Sequence, residues 1–257
     1  MKIFILCGGF GTRLDHESKF IAKPMVRIGK EPILYHLIEN FHAQGFKEFV
    51  LCLGYRAETI INYFLKEKTK FTKIIKKNNK FIQIFFRDKK IDITVNLMNT
   101  GIKTGTGGRI KIAYDNLKLN EDILMTYGDG LSNIPINKLL KFHYKNKSLV
   151  TISAVKPKQR YGILRIRQNR VQFFDNSKKK VNVYINGGFH VIDKSCLKYI
   201  KNKKEFWEKE PISKILKVKK LFSFKHEGFW KSLDTLKDKK DFNQMYNQNK
   251  CYWKFKK

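Results

Sequence analysis

The stretch ILCGGFGTRL, residues 5–14, decides how the chain is read. A short apolar run, Lys2–Cys7, ends in glycine and reads as a buried strand. The glycines that follow can be tested against two phosphate-binding loops. A Walker loop requires GxxxxGK[ST], and nothing in the chain matches. A dinucleotide loop requires GxGxxG; Gly9-Phe10-Gly11 begins it, but its third glycine would fall on Leu14. What remains is Gly8-Gly9-Phe10-Gly11-Thr12-Arg13. Adjacent glycines let the backbone approach an anion closely and present successive N–H groups to it. Arg13 adds a charged fork. Lys23-Pro24 follows, and the proline predicts extended backbone at the lysine. A plain glycine turn is the alternative; Arg13 and Lys23 favour a loop for a triphosphate.

Outward from this loop, residues 32–44 have helical spacing, with Pro32 at the start and Gly45 just past the end. Residues 48–54 and 123–130 read as further buried strands, and 57–67 as an amphipathic helix. Buried strands alternating with helices predict an α/β fold: a Rossmann-like, mostly parallel central sheet with helices on both faces. Beyond Ser148 the texture becomes strand-rich, with strands at 148–155, 161–168, 170–175 and 183–193 and helices near 194–202, 209–218 and 234–247. No repeat or flexible linker interrupts the chain. A single domain over 1–257 is expected, with halves 1–147 and 148–257.

The net charge is +32, which suggests a nucleic-acid or membrane-surface partner. Yet 45 of the 54 basic residues are lysine, and the nine arginines are dispersed. Recognition of phosphates and bases prefers the guanidinium fork. The charge therefore reads as a solvated lysine surface, with no nucleic-acid partner and no membrane insertion expected. Cys7, Cys52, Cys196 and Cys251 are scattered, without CxxC, which suits reduced thiols and argues against structural zinc. The apolar run after Lys2 is too short for a secretory signal, so a cytoplasmic protein beginning at Met1 is expected.

At this point the chain resembles the sugar-nucleotidyltransferases, which join a sugar 1-phosphate to a nucleoside triphosphate, and among them the glucose-1-phosphate cytidylyltransferases. The likeness is carried by GGFGTRL with KPMVRIGKEPILYH (23–36), LGYRAETIINYF (53–64), NTGIKTGTGGRIK (99–111), TYGDG (126–130), INGGFHV (185–191), WEKEP (207–211) and GFWKSLDTLKDK (228–239). It covers nearly the whole chain. It implies that 1–147 binds nucleotide and 148–257 binds the sugar phosphate.

The resemblance also implies roles for particular residues. Arg13, Lys23 and Asp129 would carry catalysis. Leu6, Cys7, Gly8, Gly9, Phe10, Gly11, Thr12, Arg13, Lys23, Thr104, Arg109 and Gly128 would hold the nucleotide, Thr104 and Arg109 across a subunit boundary if the chain assembles. Lys178, Asn186 and Gly187 would meet the sugar phosphate. Asp129 and Asp234 would share Mg²⁺, since a carboxylate beside phosphates needs an intervening cation. Read from the residues alone, each has a plainer alternative: a turn for Asp129, a helix N-cap for Asp234, a surface loop for Thr104–Arg109 and a strand bulge for 185–189. The tryptophan of GFW serves a sugar face or the core equally well.

Two places depart from the family pattern. Where Glu-Lys is usual before NGG, this chain has Asn176, Ser177 and Lys178; where aspartate is usual before Thr-Gly, it has Asn99. The function expected is Mg²⁺-dependent transfer of CMP from CTP to a sugar 1-phosphate, yielding CDP-glucose for surface-polysaccharide (O-antigen, lipopolysaccharide) synthesis. The rivals are a different sugar or nucleotide, a degenerate homologue that binds CTP as a sensor, and a nucleic-acid binder. A homo-oligomer is expected, the resemblance suggesting a hexamer.

Overall fold

A computed structural model describes residues 1–11, 20–157, 163–175 and 183–255. In chain order its elements are β1 (Ile3–Cys7), β2 (Arg27–Ile28), β3 (Glu31–Pro32), α1 (Ile33–Ala43), β4 (Glu48–Leu53) and α2 (Ala57–Asn62), which continues into a π-helical turn Tyr63–Glu67. There follow β5 (Thr72–Lys77), β6 (Phe81–Arg87), β7 (Asp92–Asn99), α3 (Thr106–Asn116), β8 (Ile123–Tyr127), β9 (Gly130–Ser132) and α4 (Ile136–Lys145). The later part holds β10 (Val150–Val155), β11 (Ile163–Arg167), β12 (Arg170–Asp175), β13 (Ile185–Ile192), α5 (Glu210–Lys217), β14 (Leu221–His226), β15 (Trp230–Ser232) and α6 (Leu236–Asn247).

Nine strands form one sheet in the order β14-β10-β13-β8-β1-β4-β7-β6-β5. Its centre, β8-β1-β4-β7, is wholly parallel. Only β13 and β6 run against the other seven strands, so the sheet is mostly parallel, as expected. β13 comes from the later half and lies between β8 and β10, so the two halves of the chain share one sheet.

The period-2 alternation of the central strands divides the core. Ile3, Ile5 and Cys7 of β1 join Phe49, Leu51 and Leu53 of β4 beneath α1, α4 and α6. Phe4 and Leu6 join Val50 and Cys52 beneath α3 and α5. Both faces are apolar because both are covered by helices, which is why these strands read as unbroken hydrophobic runs.

Three local expectations are corrected. Lys23–Met25 is a 3₁₀ turn rather than extended chain; Pro24 is tolerated because the first turn of a helix needs no N–H donor there. The helix expected near 194–202 is a short 3₁₀ segment, Lys194–Tyr199, started by Asp193 accepting from the Ser195 N–H. The segment 72–99, which the sequence reading passed over, supplies three strands. In β5 lysines crowd the pattern (TKIIKK), and the strand is exposed along nearly its whole length, so no buried face marks it.

Candidate active site

The loop that opens the argument leaves β1 at the carboxyl ends of the parallel strands, where open α/β sheets bind ligands. Cys7 and Gly8 are buried, whereas Gly9 and Phe10 are exposed. Gly8 has to be glycine for a packing reason: a Cβ there would lie 2.2 Å from Arg109 Nη1. Gly128, after β8, is pressed similarly, with Pro24 Cγ at 2.8 Å and Cys7 Sγ at 3.2 Å from a Cβ position. Its N–H donates to Leu6 O at 3.1 Å, so the first loop, the Lys23 turn and the TYGDG turn meet.

Arg109 lies beneath this junction and not in the cleft. Its side chain is 4% exposed. Nη1 donates to Leu53 O, Thr100 Oγ1 and Gly101 O at 3.0, 2.7 and 2.8 Å, and Nη2 to Gly8 O and Ile102 O at 2.9 and 3.2 Å. Within this chain the guanidinium points into the strand ends. The Gly8 and Leu53 carbonyls also accept the Tyr55 and Thr100 N–H groups, so Arg109 reinforces the ends of β1 and β4 and ties the Gly101–Ile102 loop to them. Thr104 Oγ1 donates to Thr100 O at 2.6 Å and ties the following loop into the same knot. The glycine-rich segment starts α3 at Thr106.

The charged centre lies above. Lys23 Nζ is 2.6 Å from Asp129 Oδ2 and 2.9 Å from Asp234 Oδ1. The two aspartates are 105 positions apart in sequence and are joined by a small ribbon. β15 pairs antiparallel with β9, with Ser232 opposite Gly130, and Leu233 N–H donates to Asp129 O at 2.8 Å. Asp234 is not the cap of α6, because Thr235 is. Thr235 Oγ1 accepts from Asp238 N–H, and Asp238 accepts from Thr235 N–H in return. The Asp234 carboxylate faces Lys23 and takes the Ser232 hydroxyl at 2.6 Å. Burial opposes the charge on Lys23, but the two carboxylates outweigh it and hold its pKa above the ordinary 10.5.

Beside these carboxylates opens a cavity of about 260 Å³, lined among others by Tyr127, Asn186, Gly187 and Trp230. The bulge expected as the plain reading of INGGF is present: the β10–β13 register slips opposite Asn186–His190. It also serves the cavity, because it brings Asn186 to the rim. Trp230 is half-buried in the wall and donates its indole N–H to Gly187 O at 2.7 Å. Tyr127, Ser232 and Glu208 went unassigned in the sequence, although each stands inside a quoted block (TYGDG, KSLD, WEKEP). Nothing local distinguished them; their partners come from distant strands. Among the described residues no three His, Cys, Asp or Glu side chains converge as a metal cluster. Thr12, Arg13 and Lys178, with Asn176 and Ser177, lie outside the described residues. No described helix is long and apolar enough to cross a membrane.

Comparison with known proteins fits this geometry. The nucleotidyl transferase family profile matches residues 2–249. A glucose-1-phosphate cytidylyltransferase of Salmonella typhimurium is 36% identical over 99% of both chains. A mannose-1-phosphate guanyltransferase of Yarrowia lipolytica is 28% identical over 93% of this chain and 62% of its own length. The crystal structure of HddC from Yersinia pseudotuberculosis shares the fold, with a TM-score of 0.67 at 24% identity over 95% of this chain and 99% of that one. With its glycine loop and paired aspartates at the strand ends, the chain belongs to the nucleotidyl transferase family.

Proposed function

We propose that the chain transfers CMP from CTP to a sugar 1-phosphate, α-D-glucose 1-phosphate being the favoured acceptor, with release of pyrophosphate. The single observation that carries this reading is the convergence of Lys23, Asp129 and Asp234 beside the glycine loop. Resemblance to the Salmonella cytidylyltransferase over the full length supports the choice of substrates. An oxygen of the sugar phosphate would attack the α-phosphorus in line. No enzyme nucleophile is needed, so the protein's part is positioning and neutralising charge. The loop amides would cradle the leaving phosphates, together with Arg13. Lys23 would release its carboxylates to stand against the phosphate nearest the reaction.

The residues present fit a divalent cation. Asp129 and Asp234 already converge on one positive charge, and such ions are commonly held by one or two carboxylates plus substrate oxygens. Bound there, Mg²⁺ would screen phosphate charge. Asn186 and Gly187 would border the sugar, with Trp230 as a wall. A CDP-sugar so made is a precursor for surface polysaccharide, and assembly into a homo-oligomer belongs to the same proposal.

The test is a panel of nucleoside triphosphates against sugar 1-phosphates, with pyrophosphate release as readout. CTP with glucose 1-phosphate should give the highest kcat/KM. A higher value with GTP and mannose 1-phosphate would move the assignment to the guanylyl relatives. Binding of CTP without turnover on any sugar would favour a sensor.

A further inference from the structure

Under the sugar side of the cavity runs a circuit of side chains, most of them joined by hydrogen bonds whose directions are set. Trp207 is fully buried and donates its indole N–H to His190 Nδ1 at 2.9 Å. An indole nitrogen can only donate, so Nδ1 is an acceptor and the ring proton resides on Nε2. Nε2 lies 2.9 Å from Asn186 Oδ1. The same atom accepts the Gly188 N–H at 2.8 Å, which identifies it as the amide oxygen. The amide nitrogen is then the end of Asn186 left to donate, and Tyr127 lines the cavity beside it.

Tyr127 in turn donates to Glu208 Oε1. The other carboxylate oxygen of Glu208 takes the Thr106 hydroxyl at 2.6 Å, and Thr106 Oγ1 accepts the Trp207 backbone N–H at 2.8 Å. The circuit closes on the adjacent pair Trp207-Glu208. Burial pushes His190 down to about 3, so it stays neutral over the ordinary range and only its tautomer is at issue.

We propose that this circuit is a positioning relay in which Trp207 holds His190 as its Nε2–H tautomer and thereby fixes Asn186 as a hydrogen-bond donor to the cavity. Asn186 then selects a ligand group that accepts, such as a sugar hydroxyl or ring oxygen. Glu208 holds the opposite end through Tyr127. The proposal rests on the reading of this cavity as the sugar side of a transferase. It assigns His190, Trp207, Tyr127 and Glu208 as positioning residues that touch no reacting atom.

Two measurements on the full chain test it. The first is the imidazole ¹⁵N spectrum of His190, which reports the tautomer without reference to any reaction. The wild type should show Nε2–H, and Trp207→Phe should shift the ring toward the other tautomer. The second is steady-state kinetics. Loss of one ordered hydrogen bond, worth about 1 kcal/mol, should raise the KM for the sugar phosphate by about fivefold in Trp207→Phe. The KM for CTP and kcat should move much less. His190→Gln, whose amide can accept and donate at once, should keep most of the affinity that His190→Leu loses. A wild-type Nδ1–H tautomer overturns the relay whatever the reaction is. An unchanged sugar-phosphate KM in both Trp207→Phe and His190→Leu overturns it equally. Absence of turnover in the wild type with every substrate pair overturns instead the functional reading on which the relay's ligand depends.

Discussion

Arg109 and Lys23 are two sheltered cations at the same ends of the same parallel strands, and they are held in opposite ways. Arg109 is surrounded by neutral oxygens, four of them backbone carbonyls, and is 4% exposed. Lys23 is held by two carboxylates at the edge of a cavity, its side chain 12% exposed. A guanidinium has five donors in a rigid fork and suits several carbonyls at once. An ammonium is a point charge on a flexible stem, and carboxylates that hold it can hold another cation instead. Arg109 therefore shapes the site, whereas Lys23 and its aspartates can exchange partners within it.

The sharpest way to break this contrast is to remove one carboxylate. Asp129→Asn and Asp234→Asn should each lower kcat by about a hundredfold or more, on the order of 3 kcal/mol, with the fold retained. Near-wild-type turnover at saturating Mg²⁺ in either variant would remove that aspartate from the proposed ion site. Arg109→Met should show the reverse pattern. It removes the guanidinium donors from the Gly101 and Ile102 carbonyls and should destabilise the protein by about 3 kcal/mol in urea unfolding. A loss below about 1 kcal/mol would mean that water or another side chain replaces the guanidinium easily.

Smaller effects sharpen the comparison. The Lys23 pKa is raised, so its ion pairs stabilise the fold fully below the unfolded value and lose their effect as pH rises through the folded one. The stability difference between wild type and Lys23→Met should thus be level up to the ordinary 10.5 and shrink only above it. A difference already fading near pH 8, by about 1 kcal/mol, would contradict the paired arrangement. Least of all should the remaining lysines matter for recognition. Any DNA binding should fall steeply with salt, and tight binding to a defined sequence at physiological ionic strength would contradict a merely solvated surface.

Three elements buried on both faces were legible in the sequence as apolar runs, whereas β7, equally central, was not, because Thr94 and Asn96 interrupt its run. ILC, EFVLCL and ILMTY had to be central strands. The edge strand β5 was not legible, since its Ile74 and Ile75 are exposed and its pattern has no hidden face to report. In the site, the glycine loop, Lys23 and both aspartates were readable, the aspartates only through resemblance. Taken alone, Asp234 looked like a helix cap. Thr235 and Asp238 perform that task, a distinction that depends on side-chain geometry one residue away.

The amino-acid sequence by itself determined the parallel core and the glycine loop at its end, because these rest on local periodicity and backbone freedom. Only the tertiary structure decided which charges face the cleft. Arg109 turns inward, where carbonyls from the ends of β1 and β4 and from the Gly101–Ile102 loop converge on its guanidinium. Asp129 and Asp234 meet because β9 and β15 pair in one particular register. His190, bonded directly to Asn186, is held on its other ring nitrogen by a tryptophan from another segment. Most of these contacts span a long stretch of chain, and hydrogen bonds and ion pairs form between atoms brought close by packing, whatever their separation in sequence.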